Sequence, residues 1–179
     1  MKELSLHILD IAENSVKAEA SLIEIEISED TGKNLLTIAI KDNGVGMSEE
    51  FLKRVKDPFS TTRTTRRVGM GISLFEAAAE QCGGGLEISS EQNVGTEVFV
   101  RFQLDHIDRA PLGDMAGTMQ TLIGGSPDRD FVYSHSKDGK CFTMDTREIR
   151  KELGGVPLDT PEVIIWIGDF INEGINELN

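Results

Sequence analysis

Residues 21–29 read Ser-Leu-Ile-Glu-Ile-Glu-Ile-Ser-Glu, with Ile23, Ile25 and Ile27 alternating against Glu24, Glu26 and Ser28. Period-two alternation of this kind has one use, a strand with one face buried and the other wet. Thr31-Gly32-Lys33-Asn34 then makes a turn, and residues 35–41 form a second apolar strand, so the two make a hairpin. The hairpin delivers Asp42 at the end of its second strand, followed at once by Asn43-Gly44-Val45-Gly46-Met47. A carboxylate at a strand end can accept a hydrogen bond from an exocyclic amine such as that of adenine, and Gly44 and Gly46 beside it would let backbone approach the base. Taken alone, Asn43-Gly44 is equally an ordinary turn.

Ahead of the hairpin, residues 3–18 have helical periodicity in Leu4, Ile8, Ile11, Ala12 and Ser15, and His7, Asp10 and Asn14 share a neighbouring stripe. An Asp and an Asn one turn apart suit a Mg2+ ion that keeps several waters and nucleotide phosphates, with Asn14 as ligand and Asp10 orienting or deprotonating a nucleophile or standing behind a metal-bound water. By itself the stripe reads more simply as a solvated helix face. After Asp42, Ser48 caps a short helix whose period ends at Asp57-Pro58. Residues 57–68 have no period and carry Arg63, Arg66 and Arg67, a basic cluster in an acidic chain. Val68-Gly69-Met70-Gly71 leads into a helix predicted for residues 72–81, whose N-terminal amides would form an anion site. That helix stops at Cys82-Gly83-Gly84-Gly85, and two strands follow, over 86–90 and 96–104, around a Gln92-Asn93 turn.

These pieces, in this order, resemble the ATPase domain shared by sensor histidine kinases, type II topoisomerase B subunits, Hsp90 and MutL. The residues that carry the resemblance are Asp10 to Ser15, Asp42 to Met47, Asp57 to Arg63, Val68 to Leu74, and Gly95-Thr96. The Asp-Pro-Phe-Ser-Thr-Thr-Arg run is most similar to the histidine-kinase branch. The resemblance implies an α+β two-layer sandwich, a Bergerat-type mixed sheet with helices on one face. It implies ATP and Mg2+ as cofactors, with Asn14 on the metal, Asp42 on the adenine amine, Gly44 and Gly46 shaping the base pocket, and Gly69 and Gly71 letting a lid approach the phosphates. Thr96 would support Asp42, and the matched boxes add Met47, Phe59, Thr62, Arg63 and Met70 to the nucleotide site. Asp10 takes the catalytic position.

Three departures qualify this. Arg67 stands where the kinase motif usually has one more glycine. Asp10 stands where topoisomerases and MutL have Glu, one methylene longer. The first motif helix begins at residue 3, with no phosphoacceptor hairpin before it, so the resemblance extends to stand-alone anti-sigma-factor kinases that act on a partner protein. Three outputs follow from this: a regulator or protein kinase acting with a partner, a slow ATPase that resets a conformational switch, and a nucleotide sensor without chemistry.

The resemblance covers residues 1–104, leaving 105–179 as a C-terminal α+β extension. Leu112, Met115, Ala116, Met119 and Leu122 have helical spacing, and Asp138-Gly139 between two strand-like runs predicts a hairpin that joins the sheet or forms a small module. Asp145 caps a helix to Leu153, and Thr160-Pro161 opens a last one. Its stripe of Val163, Trp166, Ile167, Phe170, Ile171, Ile175 and Leu178 must cover either this chain, a second copy or a partner. The tail shows no nucleophile set and no metal-ligand spacing.

Composition limits the partners. With 31 Asp and Glu against 18 Lys and Arg, the net charge is -13, which disfavours nucleic acid and anionic membrane. Cys82 and Cys141 have neither CxxC spacing nor a nearby His, so reduced thiols are expected. No signal sequence or apolar span is evident, and a cytoplasmic protein is expected.

Overall fold

The computed structural model describes residues 2–56 and 66–179, and of Lys56 and residues 66–70 it describes the backbone only. Six strands form one sheet, β1 (Leu22–Asp30), β2 (Leu35–Asp42), β3 (Gly85–Glu91), β4 (Gly95–Gln103), β5 (Asp130–Lys137) and β6 (Lys140–Asp145). Their spatial order is β3-β4-β2-β1-β5-β6. All neighbours are antiparallel except β1 and β5, so the sheet is mixed.

The register explains why one face is dry. Ile88, Val98, Ile40, Ile25, Tyr133 and Met144 stand in one row across all six strands, and all are buried. Alternation turns Glu24, Glu26, Lys41, Glu87 and Glu97 to the other face. Each fully buried large apolar side chain in such a row contributes about 1.5–3 kcal/mol, so the helices are drawn to this face. α1 (Leu4–Lys17), α3 (Arg66–Gln81), α4 (Met115–Gly125) and α6 (Pro161–Asn176) supply the covering layer. The shorter α2 (Glu49–Lys56) and α5 (Thr146–Leu153) complete the set.

The C-terminal hairpin extends the sheet. Asp138 (φ 49°) and Gly139 (φ 90°) both take positive φ, as a two-residue hairpin loop requires. Asp138 also accepts from Thr31 N at 2.8 Å and Thr31 Oγ1 at 2.9 Å, which ties the β5–β6 turn to the β1–β2 turn. On the buried face, His135 Nε2 lies 2.7 Å from Glu29 Oε2 and His135 Nδ1 lies 2.9 Å from the Tyr133 hydroxyl. His135 is therefore a satisfied core residue. At the far end of the strands, Arg150 donates to Asp130 Oδ1 and to the carbonyls of Pro127 and Arg129.

The structure corrects two helix boundaries and the cap of a third helix. The helix expected from residue 72 begins at Arg66, so Gly69, Met70 and Gly71 lie within α3 and not ahead of it. Glycine costs a helix roughly 1 kcal/mol, yet at Gly71 a Cβ would collide with the Asp10 carboxylate, and the approach of α3 to α1 outweighs the propensity. Leu112 precedes α4, which is capped by Asp114 through a bond from Gly117 N at 2.8 Å. Gly113 (φ 86°) breaks the chain there, and Leu112 O accepts from Ser5 N. Thr160 occupies the N-cap position of α6, but its hydroxyl donates to Pro157 O at 2.7 Å instead of capping the helix. Met115 and Met119 are core residues, as their spacing suggests.

The stripe of α6 divides in two. Val163, Ile167 and Ile171 are buried, packed with α4, whereas Trp166 is 52% exposed and Ile165 61%.

Candidate functional site

At the end of the apolar rows stands a polar one. Asp42 pairs with Thr96 across β2 and β4, and Thr96 pairs with Ser90 across β4 and β3. Strand alternation points these three side chains to the helix-covered face, beside Ile40, Val98 and Ile88. Asp42 and Thr96 open into a cleft of about 240 Å³ lined by Asn14, Ser15 and Lys17 of α1, by Asp42, Gly46, Met47 and Phe51, and by Ile72, Ile88 and Thr96, among others. Its walls are mainly apolar, and the polar and charged residues on them are Asn14, Ser15, Lys17, Asp42 and Thr96.

The Asp42 carboxylate is fixed on both oxygens. Ser15 Oγ donates to Oδ2 at 2.6 Å and Gly44 N donates to Oδ1 at 2.9 Å. Asn43 does not enter the cleft. Its side-chain oxygen accepts from Ser21 N (2.9 Å) and Leu22 N (3.0 Å), stapling the end of β2 to the start of β1. Thr96 Oγ1 lies 2.8 Å from Ser90 Oγ, which accepts from Met47 N at 2.8 Å and lies 3.0 Å from Gly95 O. Ser90 thus joins the Asp42–Met47 loop to the β4 end of the site. Its only signal in the sequence is its place in the β3 alternation opposite Thr96.

The two glycines of the loop play different parts. Gly46 lines the cleft at φ 69°, with Glu91 O where a Cβ would stand, so only glycine fits there. Gly44 backs onto Ala18, whose carbonyl oxygen would be 2.6 Å from an added Cβ, and Val45 N donates to that same oxygen at 2.9 Å. Gly44 is therefore the seam between the loop and the end of α1.

Asn14 faces the cleft, and its Nδ2 is buried without a hydrogen-bond partner among the described residues. An unpaired amide in a buried position costs about 1–3 kcal/mol, a cost that a bound polar group would relieve. Among the described residues no group of three His, Cys, Asp or Glu could hold a metal. Nδ2 is a donor and suits an acceptor such as a phosphate oxygen, while a cation would sit on the amide oxygen and take its remaining ligands from water and a bound anion, a pattern that fits Mg2+ with a nucleotide. Asp10 lies one turn away, against Gly71 of α3 and outside the cleft lining. His7 is buried too, stacked on Phe75 with centroids 4.8 Å apart and planes 4° from parallel. Burial lowers its pKa below the ordinary histidine value, against the opposing pull of Asp10. Phe59, Thr62 and Arg63 lie outside the described residues, and of Gly69 and Met70 only the helical backbone is described.

The sequence profile of histidine kinase-, DNA gyrase B-, and HSP90-like ATPases matches residues 2–106. The chain belongs to this family. It is 28% identical over 109 residues to a putative sensor protein of Shewanella frigidimarina, covering 60% of this chain and 16% of that protein. It is 31% identical over 98 residues to the histidine protein kinase DivJ of Caulobacter vibrioides (52% and 16%), and 34% identical over 82 residues to sporulation kinase E of Bacillus subtilis (40% and 11%). The chain thus spans under a fifth of the length of these relatives. Among solved structures, the Aquifex aeolicus MutL ATPase domain complexed with ADP superposes with a TM-score of 0.53 at 17% identity, covering 86% of this chain and 70% of that one. That coverage is more than residues 2–106 alone can supply, so the common fold takes in part of the tail. Among the described residues, no helix is long and apolar enough to cross a membrane.

Proposed function

We propose that the cleft binds Mg-ATP, and that a partner protein reads whether it is filled. The observation that carries this reading is the Asp42 carboxylate, held by Ser15 and Gly44 in a mainly apolar cleft that Asn14 also lines, with its buried Nδ2 unpartnered among the described residues. Adenine would lie between Met47, Ile72 and Ile88 with its amine on Asp42, and Thr96 and Ser90 would hold that wall. Asn14 would hold Mg2+, which when bound neutralises phosphate charge.

Asp10 abuts Gly71, so a change at the phosphates reaches α3 through the α1–α3 contact. This supports conformational readout as the output. In an enzymatic form of the same reading, akin to anti-sigma-factor kinases, Asp10 would assist a hydroxyl of the partner, and the protein would act in the cytoplasm. Replacing the Asn14 amide tests the cleft. With a fluorescent ATP analogue and Mg2+, Asn14→Ala is expected to bind about 100-fold more weakly than the parent. Equal affinity for the two would remove Asn14 and this cleft from the account.

A further inference from the structure

α6 contains no Lys or Arg. Glu162, Trp166, Asp169 and Glu173 fall at helical spacing on one stripe, all exposed. Trp166 stacks on Phe170 (centroids 5.0 Å, planes 8° apart), and Phe170 in turn meets Phe142 of β6 edge-on at 5.1 Å. The indole is thereby fixed while half exposed. Beside it runs a groove of about 620 Å³ between α6 and α5, along the outermost strand β6. Ile149 and Leu153 form its apolar floor with the two aromatics, and Glu148 and Glu152 line its α5 side. Glu148 has one exposed partner, Lys151 at 3.4 Å, and among the described residues no ion pair engages Glu152, Glu162, Asp169 or Glu173.

We propose that this groove docks a segment of another protein that carries Arg or Lys side chains around an apolar anchor. The anchor would enter between Leu153 and Phe170. A guanidinium would stack on Trp166, where the ring quadrupole attracts it and adjacent carboxylates reinforce the attraction. A second copy of this chain fits poorly, because a symmetric contact would set Glu162, Asp169 and Glu173 against their own equivalents in a molecule of net charge -13. The surface extends the partner reading above and uses no cleft residue. Three strand spacings, roughly 14 Å, separate β6 from the β2 strand that carries Asp42.

Trp166 is the single tryptophan, so its fluorescence reports on the groove alone. The full chain is titrated with a synthetic peptide alternating Arg and Leu. The expected result is a saturable blue shift that weakens with added salt. It should be about tenfold weaker in the Glu148→Lys, Glu152→Lys double variant, two exposed changes checked by their unaltered melting curve. A Glu-Leu peptide should leave the emission unchanged, and an Arg-Ser peptide should bind markedly more weakly. The proposal is overturned by no shift with the Arg-Leu peptide, by an undiminished shift in the double variant, or by an equal response to Arg-Ser. It is also overturned by a shift that follows protein concentration without peptide, which would make a second copy the occupant. The same double variant should bind the ATP analogue like the parent, so a failure of the cleft reading and a failure of the groove are separable.

Discussion

Asp42→Asn is expected to lower ATP affinity by at least about 100-fold while leaving the fold intact. The carboxylate accepts from two donors of the protein, Ser15 Oγ and Gly44 N, and in our reading from a third on adenine. An amide supplies one acceptor oxygen where the carboxylate has two. Its NH2 must then face Ser15 Oγ, which can turn to accept, or Gly44 N, donor against donor, and the oxygen left for the adenine amine carries no charge. Losing a charge-assisted hydrogen bond and leaving a buried donor unmet together cost roughly 3 kcal/mol, or two decades in affinity. The loop is also held by Asn43 on Ser21 and Leu22 and by Val45 N on Ala18 O, so calorimetry should find weak binding in a protein that melts within a few degrees of the parent. Affinity within threefold of the parent, which is about 0.6 kcal/mol, would separate Asp42 from base recognition.

Tyr133→Ala should be the most destabilising single change, by about 4 kcal/mol, with a fall in Tm of roughly 10 °C. The ring is fully buried on β5, in the central row between Ile25 and Met144. Its hydroxyl meets His135 Nδ1, and His135 Nε2 meets Glu29. A neutral imidazole that donates from Nε2 to Glu29 leaves Nδ1 to accept from the tyrosine. Burial pushes the phenol far above its ordinary pKa, so it remains a donor throughout the working range. The bond from His135 holds the Glu29 carboxyl below its ordinary pKa. A depressed carboxyl stabilises the fold above its unfolded pKa, and this contribution is lost as pH falls through the folded one. Tyr133→Phe keeps the ring but orphans His135 Nδ1, and should cost about 1–2 kcal/mol. If the Ala and Phe variants melt together near the parent, the C-terminal hairpin is not integral to the core.

Much of this was legible from residue order because the relevant signals are local. The alternation of Ile23, Ile25 and Ile27, the Asp138-Gly139 turn and the Asp145 cap each depend on neighbours within a few positions, and each element forms where it was expected. Asp42, Asn14, Gly46, Met47 and Thr96 were expected near one another and line one cleft. What escaped depends on distant contacts. Gly71 reads as a helix breaker until Asp10 is placed beside it. Gly44 reads as clearance for a ligand until Ala18 fills that space. Ser90 has no motif at all, and its link to Met47 N exists only once β3 lies beside β4. The α6 stripe gave the helix but not its division, because periodicity cannot tell that α4 covers Ile167 and leaves Trp166 open.

In the proposed function, Asp42 reads the amine of a purine. Competition between ATP and inosine triphosphate for the parent protein, in the presence of Mg2+, tests it most directly, since the two differ at that amine and keep the phosphates. A carboxylate facing the inosine carbonyl loses its donor and gains a repulsive acceptor. ATP should therefore bind roughly 100-fold more tightly. Equal affinities for the two nucleotides, or no saturable binding of either, would contradict the account.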